Sequence, residues 1–437
     1  MIGLVVLFLS IFSLMGLFIY KIYGSGSMDE IQREKEIISE TPQQNDSMDY
    51  ELVDAVIESD INETIIEPET TEETFPEPSE EEVLNELIND KISGMTIEQK
   101  IYQLFVVTPE VLTGVSQVVT AGDTTKNSLE RTPVGGLIYL APNLTSSEQT
   151  KEMLSKTREY AYEIEGMPMF LCVDEEGGRV TRIAQNPAFG VEEIPAMGNI
   201  ESVEEAYNCG DTIGTYLEDL GFNVDFAPVV DVLTNNSNRV IGDRSFGSDP
   251  NIVSDYAKAY SDGLHAHGIL STYKHFPGHG ATEADTHKGY AYTNKTHEEL
   301  SQNEMIPFAT AKENNIDMVM VAHISLPNVI GDDTPCSLSK MMIIDILRGE
   351  LAYDGIVITD ALNMGAISEK YSDAEASLKA FEAGADLILM PGNLKSAYTG
   401  IYGAYESGRI SEDRIDESLR RIIKAKIQID SGEALME

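Results

Sequence analysis

Over most of its length the chain alternates between short apolar runs and longer stretches in which apolar residues recur at helical spacing. Short, nearly continuous apolar runs bounded by turn residues are typical of buried strands. We predict eight strands, at 103–108, 136–141, 169–174, 224–230, 270–274, 318–323, 356–360 and 387–390. The amphipathic stretches predict helices at 147–165, 202–220, 251–268, 298–314, 338–350, 374–384, 395–407 and 412–429, whereas the crossover at 111–131 shows no clear pattern.

Buried strands that alternate with helices predict an α/β fold with a parallel sheet covered on both faces. Eight such units favour a single closed (β/α)8 barrel of the TIM type over an open doubly wound sheet, and no GxGxxG turn follows the first strand. Two helix starts precede that strand. Ser79 stands before three glutamates, and Thr96 and Gln99 have the spacing of a capping box. We therefore place the folded domain at 79–437.

Residues 2–20 form an uncharged apolar segment. As a helix they would extend roughly 28 Å at about 1.5 Å per residue, enough to cross the hydrocarbon core of a membrane. The segment predicts a transmembrane anchor within 1–23. A cleaved signal peptide is the alternative, because small residues stand at 24–27, but no basic residue precedes the run. Lys21 favours a cytoplasmic location for the C-terminal side of the segment, although a single lysine carries little weight.

The next segment, 24–78, has 17 acidic and 2 basic residues, with repeated Thr, Glu and Pro. Such a composition cannot bury enough apolar surface to fold, and its like charges repel one another. It predicts a disordered, extended acidic linker that acts as a solvated spacer.

The whole chain of 437 residues has a formal net charge of −44. That charge repels phosphate backbones, and no basic patch with interleaved aromatic residues is present, so the sequence disfavours nucleic acid as a partner. Cys172, Cys209 and Cys336 are far apart and form no CxxC pair, which excludes a disulfide scaffold and a structural zinc site. We predict no cofactor.

In a barrel of this kind the chemistry collects at the C-terminal ends of the strands. Charged and imidazole side chains stand at the ends of the third, fifth, sixth and seventh predicted strands and around the fourth, at Asp174, Asp225, Asp231, Lys274, His275, His323 and Asp360. All seven histidines lie between 265 and 323. A mononuclear metal site is the rival explanation, but HExxH and a His-x-His pair at a strand end are both absent, so we predict no metal.

Five sequence strings at these strand ends resemble one known family. They are DEEGGRVTR at 174–182, NRVIGDRSFG at 238–247, KHFPGHG at 274–280, Asp-Thr-His at 285–287 and GIVITDALNMGAI at 355–367. Together they resemble glycoside hydrolase family 3, in its β-N-acetylglucosaminidase (β-N-acetylhexosaminidase) branch. The strings are long and in the family's order, and the resemblance extends from about 95 to about 429.

The resemblance implies a retaining, two-step hydrolysis of terminal non-reducing β-N-acetylglucosamine residues. Asp360, in the Thr-Asp-x-Leu-x-Met string, would be the nucleophile that forms a glycosyl-enzyme intermediate. His287 would be the general acid and base, with its ring oriented by Asp285. Most glycosidases use a second carboxylate in that role, so this pair departs from the common scheme.

The same resemblance implies a subsite for one sugar. Asp174 would bind ring hydroxyl groups, with Arg182, Arg244, Lys274 and His275 around it. A carboxylate and cationic donors on opposing sides of a pyranose would fix its hydroxyl groups in one orientation.

Other positions have smaller expected parts. His279 would shape its loop, and His323 would form a wall of the site. The chain departs from the family pattern at Glu175, where glutamine is common, at Thr286, where serine is common, and at Ala361, where an acid or serine is common. The extra charge of Glu175 would alter the electrostatics of the subsite.

Two other functions remain open. A histidine acid leaves the site with one negative charge fewer than a second carboxylate would, so phosphate could replace water as the acceptor, which would make the protein a β-N-acetylglucosaminide phosphorylase. A membrane-tethered cell-wall-binding protein without turnover is the non-enzyme alternative. It is disfavoured because Asp360, His287 and Asp285 are all present.

The predicted partners are a carbohydrate and a membrane. The carbohydrate would be a β-GlcNAc glycoside, either a muropeptide or a chito-oligosaccharide. An anchor joined to a long linker predicts a single-pass protein of the cell membrane, with the barrel on the extracellular side and peptidoglycan fragments as its substrate.

Overall fold

The structure is a computed structural model, and it describes residues 78–282 and 291–431. The predicted anchor, the linker apart from its last residue, and both Asp285 and His287 lie outside the described residues. Within the described residues, no helix combines the length and the apolar character that a membrane span requires. The anchor and the linker therefore stay predictions.

Two capped helices precede the first strand, as the sequence predicts. Helix α1 (Glu80–Ser93) begins at Ser79, whose Oγ accepts a hydrogen bond from the Glu82 amide at 3.3 Å. The Glu82 carboxylate in turn accepts one from the Ser79 amide at 2.8 Å. Helix α2 (Ile97–Tyr102) begins with the same reciprocal pair at Thr96. Each box satisfies amide groups that the first helical turn leaves without partners.

Eight short, buried strands come next within the described part of the chain, and all their pairings are parallel. Each overlaps its prediction, and most are shorter. They are β1 (Phe105–Val107), β2 (Gly136–Ile138), β3 (Phe170–Val173), β4 (Val224–Asp225), β5 (Thr272–Phe276), β6 (Met318–Val321), β7 (Ile356–Thr359) and β8 (Ile388–Leu389). The strands form two sheets, in the orders β4-β3-β2-β1-β8 and β5-β6-β7. The predicted α/β fold with parallel strands is confirmed.

Backbone hydrogen bonds also connect the two sheets at both of their borders. Between β4 and β5, the Thr272 amide donates to the Ala227 carbonyl at 2.8 Å. Between β7 and β8, the Thr359 amide donates to the Leu387 carbonyl at 3.1 Å. The strands thus neighbour one another in chain order, and β8 lies beside β1.

Helices connect consecutive strands, as parallel pairing requires. They are α3 (Pro109–Thr113), α4 (Asp123–Arg131), α5 (Ser147–Glu165), α6 (Val203–Leu220), α7 (Pro250–His265), α8 (His297–Ser301), α9 (Ile306–Ala309), α10 (Pro327–Ile330), a π-helix (Met341–Glu350), α11 (Gly365–Ser368) and α12 (Asp373–Ala383). Two further helices, α13 (Leu394–Glu406) and α14 (Glu412–Ser431), follow β8.

The structure corrects two helix predictions. The stretch 298–314 is interrupted between α8 and α9, because Pro307 has no amide hydrogen and its ring would clash with the carbonyl four residues earlier in a continuous helix. The stretch 338–350 is wound as a π-helix rather than an α-helix. The unassigned crossover at 111–131 contains the end of α3 and the whole of α4.

Buried charged residues lie at both ends of the strands. Asp317 stands just before β6, where its Oδ2 accepts a hydrogen bond from the Ser271 amide at 2.8 Å and lies 2.7 Å from Nε2 of His265. At the other end, Glu176, just after β3, and Lys274, within β5, belong to a larger group of charges. The second group contains the residues that the sequence predicts to be functional.

Candidate active site

The segment after β3 has three consecutive acidic residues, of which the first and the third share a partner. Asp174 and Glu176 both reach the ammonium group of Lys274, because alternate residues of an extended segment point the same way. Glu175 between them directs its carboxylate to the backbone of 182–184. Asp174 is half-buried, whereas Glu175 and Glu176 are fully buried.

A glycine pair turns the chain back toward this segment. Gly177 and Gly178 have φ values of 87° and 55°, and a Cβ atom at Gly178 would stand 2.6 Å from the Cβ atom of Ala196. Glycine adopts this conformation and fits this space without strain. The turn brings Arg182 back to Asp174, where Nη2 of the guanidinium lies 3.3 Å from Oδ2.

Strand β5 contributes two adjacent basic residues, Lys274 and His275. The register of β5 against β6 shifts between Lys274 and Phe276, so these neighbours do not follow the alternation of a regular strand. Nζ of Lys274 lies 3.1 Å from Oδ1 of Asp174 and 2.6 Å from Oε1 of Glu176. Lys274 therefore bridges the two carboxylates.

Arg244 ends a short 3₁₀ helix, Gly242–Arg244, between β4 and α7. Its Nε and Nη2 atoms each lie 2.8 Å from one oxygen of Glu176, which makes a bidentate pair. Nη2 also lies 3.5 Å from Nε2 of His275. The Arg244 side chain is only 11% exposed, so this pair is shielded from solvent.

Five side chains thus form one continuous series of ion pairs, which we name the ion-pair chain: Arg182, Asp174, Lys274, Glu176 and Arg244. Burial raises the pKa of the Glu176 carboxyl, but the charges of Arg244 and Lys274 more than offset this and hold the pKa below its usual range. Burial lowers the pKa of Lys274, yet the charges of Glu176 and Asp174 raise it overall. Glu176 and Lys274 are therefore both charged at neutral pH.

Asp231, which follows β4, holds two histidines. Its Oδ2 lies 2.7 Å from Nδ1 of His275, and its Oδ1 accepts a hydrogen bond from the His279 amide at 2.5 Å. Burial raises the pKa of the Asp231 carboxyl, but His275 and His279 outweigh burial and leave that pKa below its ordinary value. Asp231 thereby fixes both ends of the turn at 275–279.

Asp360 follows β7 directly and is half-buried. Its amide donates to the Val321 carbonyl at 2.9 Å, and its Oδ1 accepts a hydrogen bond from the Ala361 amide at 2.7 Å. Burial lowers the pKa of the His279 imidazole, and Asp360 is among the nearby charges that oppose this. Because β5 and β7 both pair in parallel with β6, Asp360 after β7 lies at the same end of the strands as the turn that contains His279 after β5.

His323 stands two residues beyond β6 and is buried. Its Nδ1 lies 2.7 Å from Oγ of Ser337, and its Nε2 lies 3.0 Å from the Ala361 carbonyl. A carbonyl oxygen only accepts, so Nε2 carries a hydrogen there. His323 thus supports the backbone immediately after Asp360.

The structure brings the five predicted subsite residues together: Asp174, Arg182, Arg244, Lys274 and His275. Their arrangement differs from the expected one in one respect, because Asp174 pairs directly with Arg182 and Lys274 instead of facing them across a sugar. The roles of these residues, and those of Asp285 and His287, stay predictions.

The sequence predicts no role for Glu176, and it predicts Asp231 only as a strand-end carboxylate. Both are fully buried, and both bind predicted subsite residues. Glu176 lies two residues after Asp174, a spacing that places two side chains on one side of an extended segment, and this signal could have identified it. For Asp231 the sequence has no comparable signal, because its partner His275 is distant in the chain.

The arrangement supports two kinds of chemistry. Alternating carboxylates and cations can accept from and donate to the hydroxyl groups of a neutral polyol. Asp360, half-buried and held at one carboxylate oxygen, can attack an electrophilic carbon. Within 78–282 and 291–431, no three His, Cys, Asp or Glu side chains are grouped as a metal ion would require.

A family model described as the glycosyl hydrolase family 3 N-terminal domain matches residues 96–425. Beta-hexosaminidase A of Pseudoalteromonas piscicida is 32% identical over 335 residues, which cover 70% of this chain and 55% of that protein. A beta-hexosaminidase of Pseudomonas aeruginosa is 35% identical over 286 residues, which cover 64% of this chain and 81% of that protein.

Solved structures show the same likeness. A glycoside hydrolase family 3 beta-N-acetylglucosaminidase from Paenibacillus sp. str. FPU-7 matches with a TM-score of 0.72 and 36% identity, over 79% of this chain and 64% of that one. The present chain thus spans little more than half of the Pseudoalteromonas protein and less than two thirds of the Paenibacillus chain.

Proposed function

Because the chain belongs to glycoside hydrolase family 3, as its sequence strings predict, we propose that it hydrolyses terminal non-reducing β-N-acetylglucosamine residues. The observation that carries this proposal is the ion-pair chain at the same end of the parallel strands as the half-buried Asp360. Its donors and acceptors suit the hydroxyl groups of a sugar. The relatives named beta-hexosaminidase and beta-N-acetylglucosaminidase support N-acetylglucosamine as that sugar.

The proposed reaction is retaining and has two steps. In the first, a carboxylate oxygen of Asp360 bonds to the anomeric carbon, the bond to the leaving oxygen breaks, and His287 gives that oxygen a proton. In the second, His287 takes a proton from water, the water oxygen bonds to the anomeric carbon, and the bond to Asp360 breaks. Asp285 orients the His287 ring in both steps.

The surroundings of Asp360 support its part as the nucleophile. The Ala361 amide holds one carboxylate oxygen, and the bond to Val321 ties the backbone to β6. His323 supports the next carbonyl group. A carboxylate whose direction is set before the sugar arrives loses little freedom on reaching the transition state.

Asp174, Arg182, Lys274, Arg244 and His275 would hold the sugar. Their mutual ion pairs keep each side chain in one orientation, so the sugar would meet a preformed set of donors and acceptors. Buried Glu176 would hold Lys274 and Arg244 in place from behind.

We also propose that the eight strands close into one (β/α)8 barrel, which the hydrogen bonds at both sheet borders support. The barrel would be carried outside the cell membrane by the anchor at 1–23 and the linker at 24–78. A flexible chain of that linker's length spans roughly 40 Å, and its charge would extend it further. That reach suits substrates released from peptidoglycan.

Release of 4-nitrophenol from its β-N-acetylglucosaminide, with and without phosphate, tests the proposed function. We expect turnover without phosphate and N-acetylglucosamine as the product. A rate that rises with phosphate and yields the sugar 1-phosphate would make the protein a phosphorylase. No turnover on this substrate or on the matching β-glucoside would favour the cell-wall-binding alternative.

Replacing His287 by alanine should lower kcat/KM about 100-fold for N,N′-diacetylchitobiose and much less for the 4-nitrophenyl glycoside. The sugar leaving group of the disaccharide departs only when its oxygen is protonated, whereas 4-nitrophenolate departs without a proton. The loss of a general acid should therefore slow the cleavage of the disaccharide far more than that of the 4-nitrophenyl glycoside. The matched control is His297→Ala, because that histidine is partly exposed and pairs with Glu350 at 2.9 Å. Equal losses on both substrates would contradict the acid role of His287.

A further inference from the structure

Glu175 is a buried carboxylate between two members of the ion-pair chain, Asp174 and Glu176. The sequence predicts that its charge alters the electrostatics of the sugar subsite. In the structure its carboxylate instead faces the backbone of 182–184, the turn that ends at the subsite. Its position therefore indicates a different role from that of its neighbours.

Four hydrogen-bond donors converge on the Glu175 carboxylate. Oε2 accepts from the amides of Arg182 at 2.6 Å and Ile183 at 3.0 Å. Oε1 accepts from the Ala184 amide at 2.9 Å and from the Tyr216 hydroxyl at 3.0 Å. An ionised carboxylate accepts at both oxygens and donates at neither, so it is the side chain that suits three consecutive amides.

The backbone of Glu175 is held as firmly as its side chain. Its amide donates to Oδ1 of Asp225 at 2.9 Å, and its carbonyl accepts from the Tyr260 hydroxyl at 3.2 Å. Asp225 and Tyr260 are both fully buried. Glu175 is thus fixed to β4 and α7, and its carboxylate holds the backbone of 182–184 in a set position relative to them.

We propose that Glu175 is a positioning residue that sets the place of Arg182 against Asp174 and thereby the affinity for the first sugar. Arg182 gives Glu175 the shortest of the four hydrogen bonds, and its guanidinium meets Asp174 at 3.3 Å. Without Glu175, three amides of one turn lose their common acceptor, and the turn must move to satisfy them. The link to sugar affinity rests on the proposed function.

Glutamine at this position would preserve part of the network. Its carbonyl oxygen can accept from Arg182 and Ile183, while its amide donates to the Tyr216 hydroxyl, which can accept as well as donate. Only the Ala184 amide would lose its partner. Glutamic acid, glutamine and leucine at position 175 therefore keep all, most and none of these hydrogen bonds.

The experiment compares Glu175→Gln and Glu175→Leu with the unchanged full-length chain. For 4-nitrophenyl β-N-acetylglucosaminide we expect KM to rise about tenfold or more in Glu175→Leu and about threefold or less in Glu175→Gln, with smaller changes in kcat. Hydrogen exchange followed by mass spectrometry should show faster exchange of the 182–184 amides in Glu175→Leu. Glutamine should restore most of the protection.

Asp317→Asn separates positioning from a general loss of stability. Asp317 is also buried and hydrogen-bonded, but it lies before β6, at the opposite end of the strands. We expect it to lower the melting temperature while leaving KM and the exchange at 182–184 unchanged. If Glu175→Leu does not fold, Glu175→Gln and Tyr216→Phe provide the same comparison with smaller effects.

Two results would overturn the proposal: a folded Glu175→Leu with unchanged exchange at 182–184, or faster exchange there with an unchanged KM. Failure of the proposed function has another signature, because the unchanged chain would then not cleave the glucosaminide at all. Hydrogen exchange would in that case decide alone whether Glu175 positions the turn.

Discussion

Replacing Asp360 by asparagine is expected to lower kcat for β-N-acetylglucosaminide hydrolysis by about 10³-fold or more. A neutral amide cannot form the glycosyl ester on which the proposed first step depends. The contacts of the residue should survive, because its bond to Val321 comes from the backbone and an asparagine oxygen can still accept from the Ala361 amide. The loss would therefore reflect the chemistry of the carboxylate and not the fold.

Asp373→Asn is a matched control in the same connection between β7 and β8. Its Oδ1 also accepts a backbone hydrogen bond, from the Gly392 amide at 2.6 Å, so the same substitution there should leave kcat unchanged. Circular dichroism melts would show whether both variants are folded. An Asp360→Asn variant that turns over as fast as the control would exclude this residue as the nucleophile.

The configuration of the product tests the proposed retaining mechanism independently. Two displacements at one carbon return the β configuration, so proton NMR of the first-formed sugar should show the β anomer. An α anomer formed first would indicate a single displacement by water. Asp360 would then have to act in another way than by forming an ester.

The strands could be predicted because each is a short apolar run that a parallel sheet buries on both faces. The ends of helices and strands depend on fewer residues, and a single residue can end a helix that the amphipathic pattern predicts to continue. Pro307 does so within 298–314, where amphipathic spacing continues through a position that cannot donate the helical hydrogen bond. The winding of Met341–Glu350 as a π-helix has no counterpart in the hydrophobic pattern.

The five residues predicted for the sugar subsite lie together in the structure, but their pairings could not be predicted. Family strings identify Asp174 and Arg182, but their direct pairing depends on the left-handed turn at Gly177 and Gly178. The hydrogen bonds of Glu175 could not be predicted either, because the amides that donate to it come together only in the folded turn. Spacing along the chain shows which side chains are near a strand end, whereas their partners depend on the path of the loops.

Replacing Glu176 by glutamine should lower the free energy of unfolding by about 3–5 kcal/mol, the usual cost of breaking a buried ion pair on one side. Glu176 is 1% exposed, and its carboxylate accepts two hydrogen bonds of 2.8 Å from the guanidinium of Arg244. It also forms an ion pair with Nζ of Lys274 at 2.6 Å. Glutamine has nearly the same shape but no charge, so Lys274 would be left with Asp174 at 3.1 Å and Arg244 would lose the carboxylate charge that it pairs with. The sugar subsite should weaken together with the fold.

Urea unfolding followed by circular dichroism would measure this difference, since the chain contains no tryptophan to report by fluorescence. Asp243→Asn is the exposed counterpart, because it breaks a pair with Arg179 whose side chains are 46% and 54% exposed. That control should cost less than about 1 kcal/mol. Equal losses in the two variants would mean that the buried pair contributes no more than a surface one.

The pH dependence of the same difference identifies its cause. The pKa of Glu176 is lower in the folded protein than in the unfolded chain. Above the ordinary glutamate value of about 4.3 the group is ionised in both states, so its stabilisation is fully present. Below that value the unfolded chain binds a proton that the folded protein does not, and the stabilisation is lost as the pH falls. The difference in free energy of unfolding between the unchanged chain and Glu176→Gln should therefore stay constant from about pH 7 to about pH 5 and shrink below about pH 4. A difference that does not change with pH would indicate altered packing instead of lost charge.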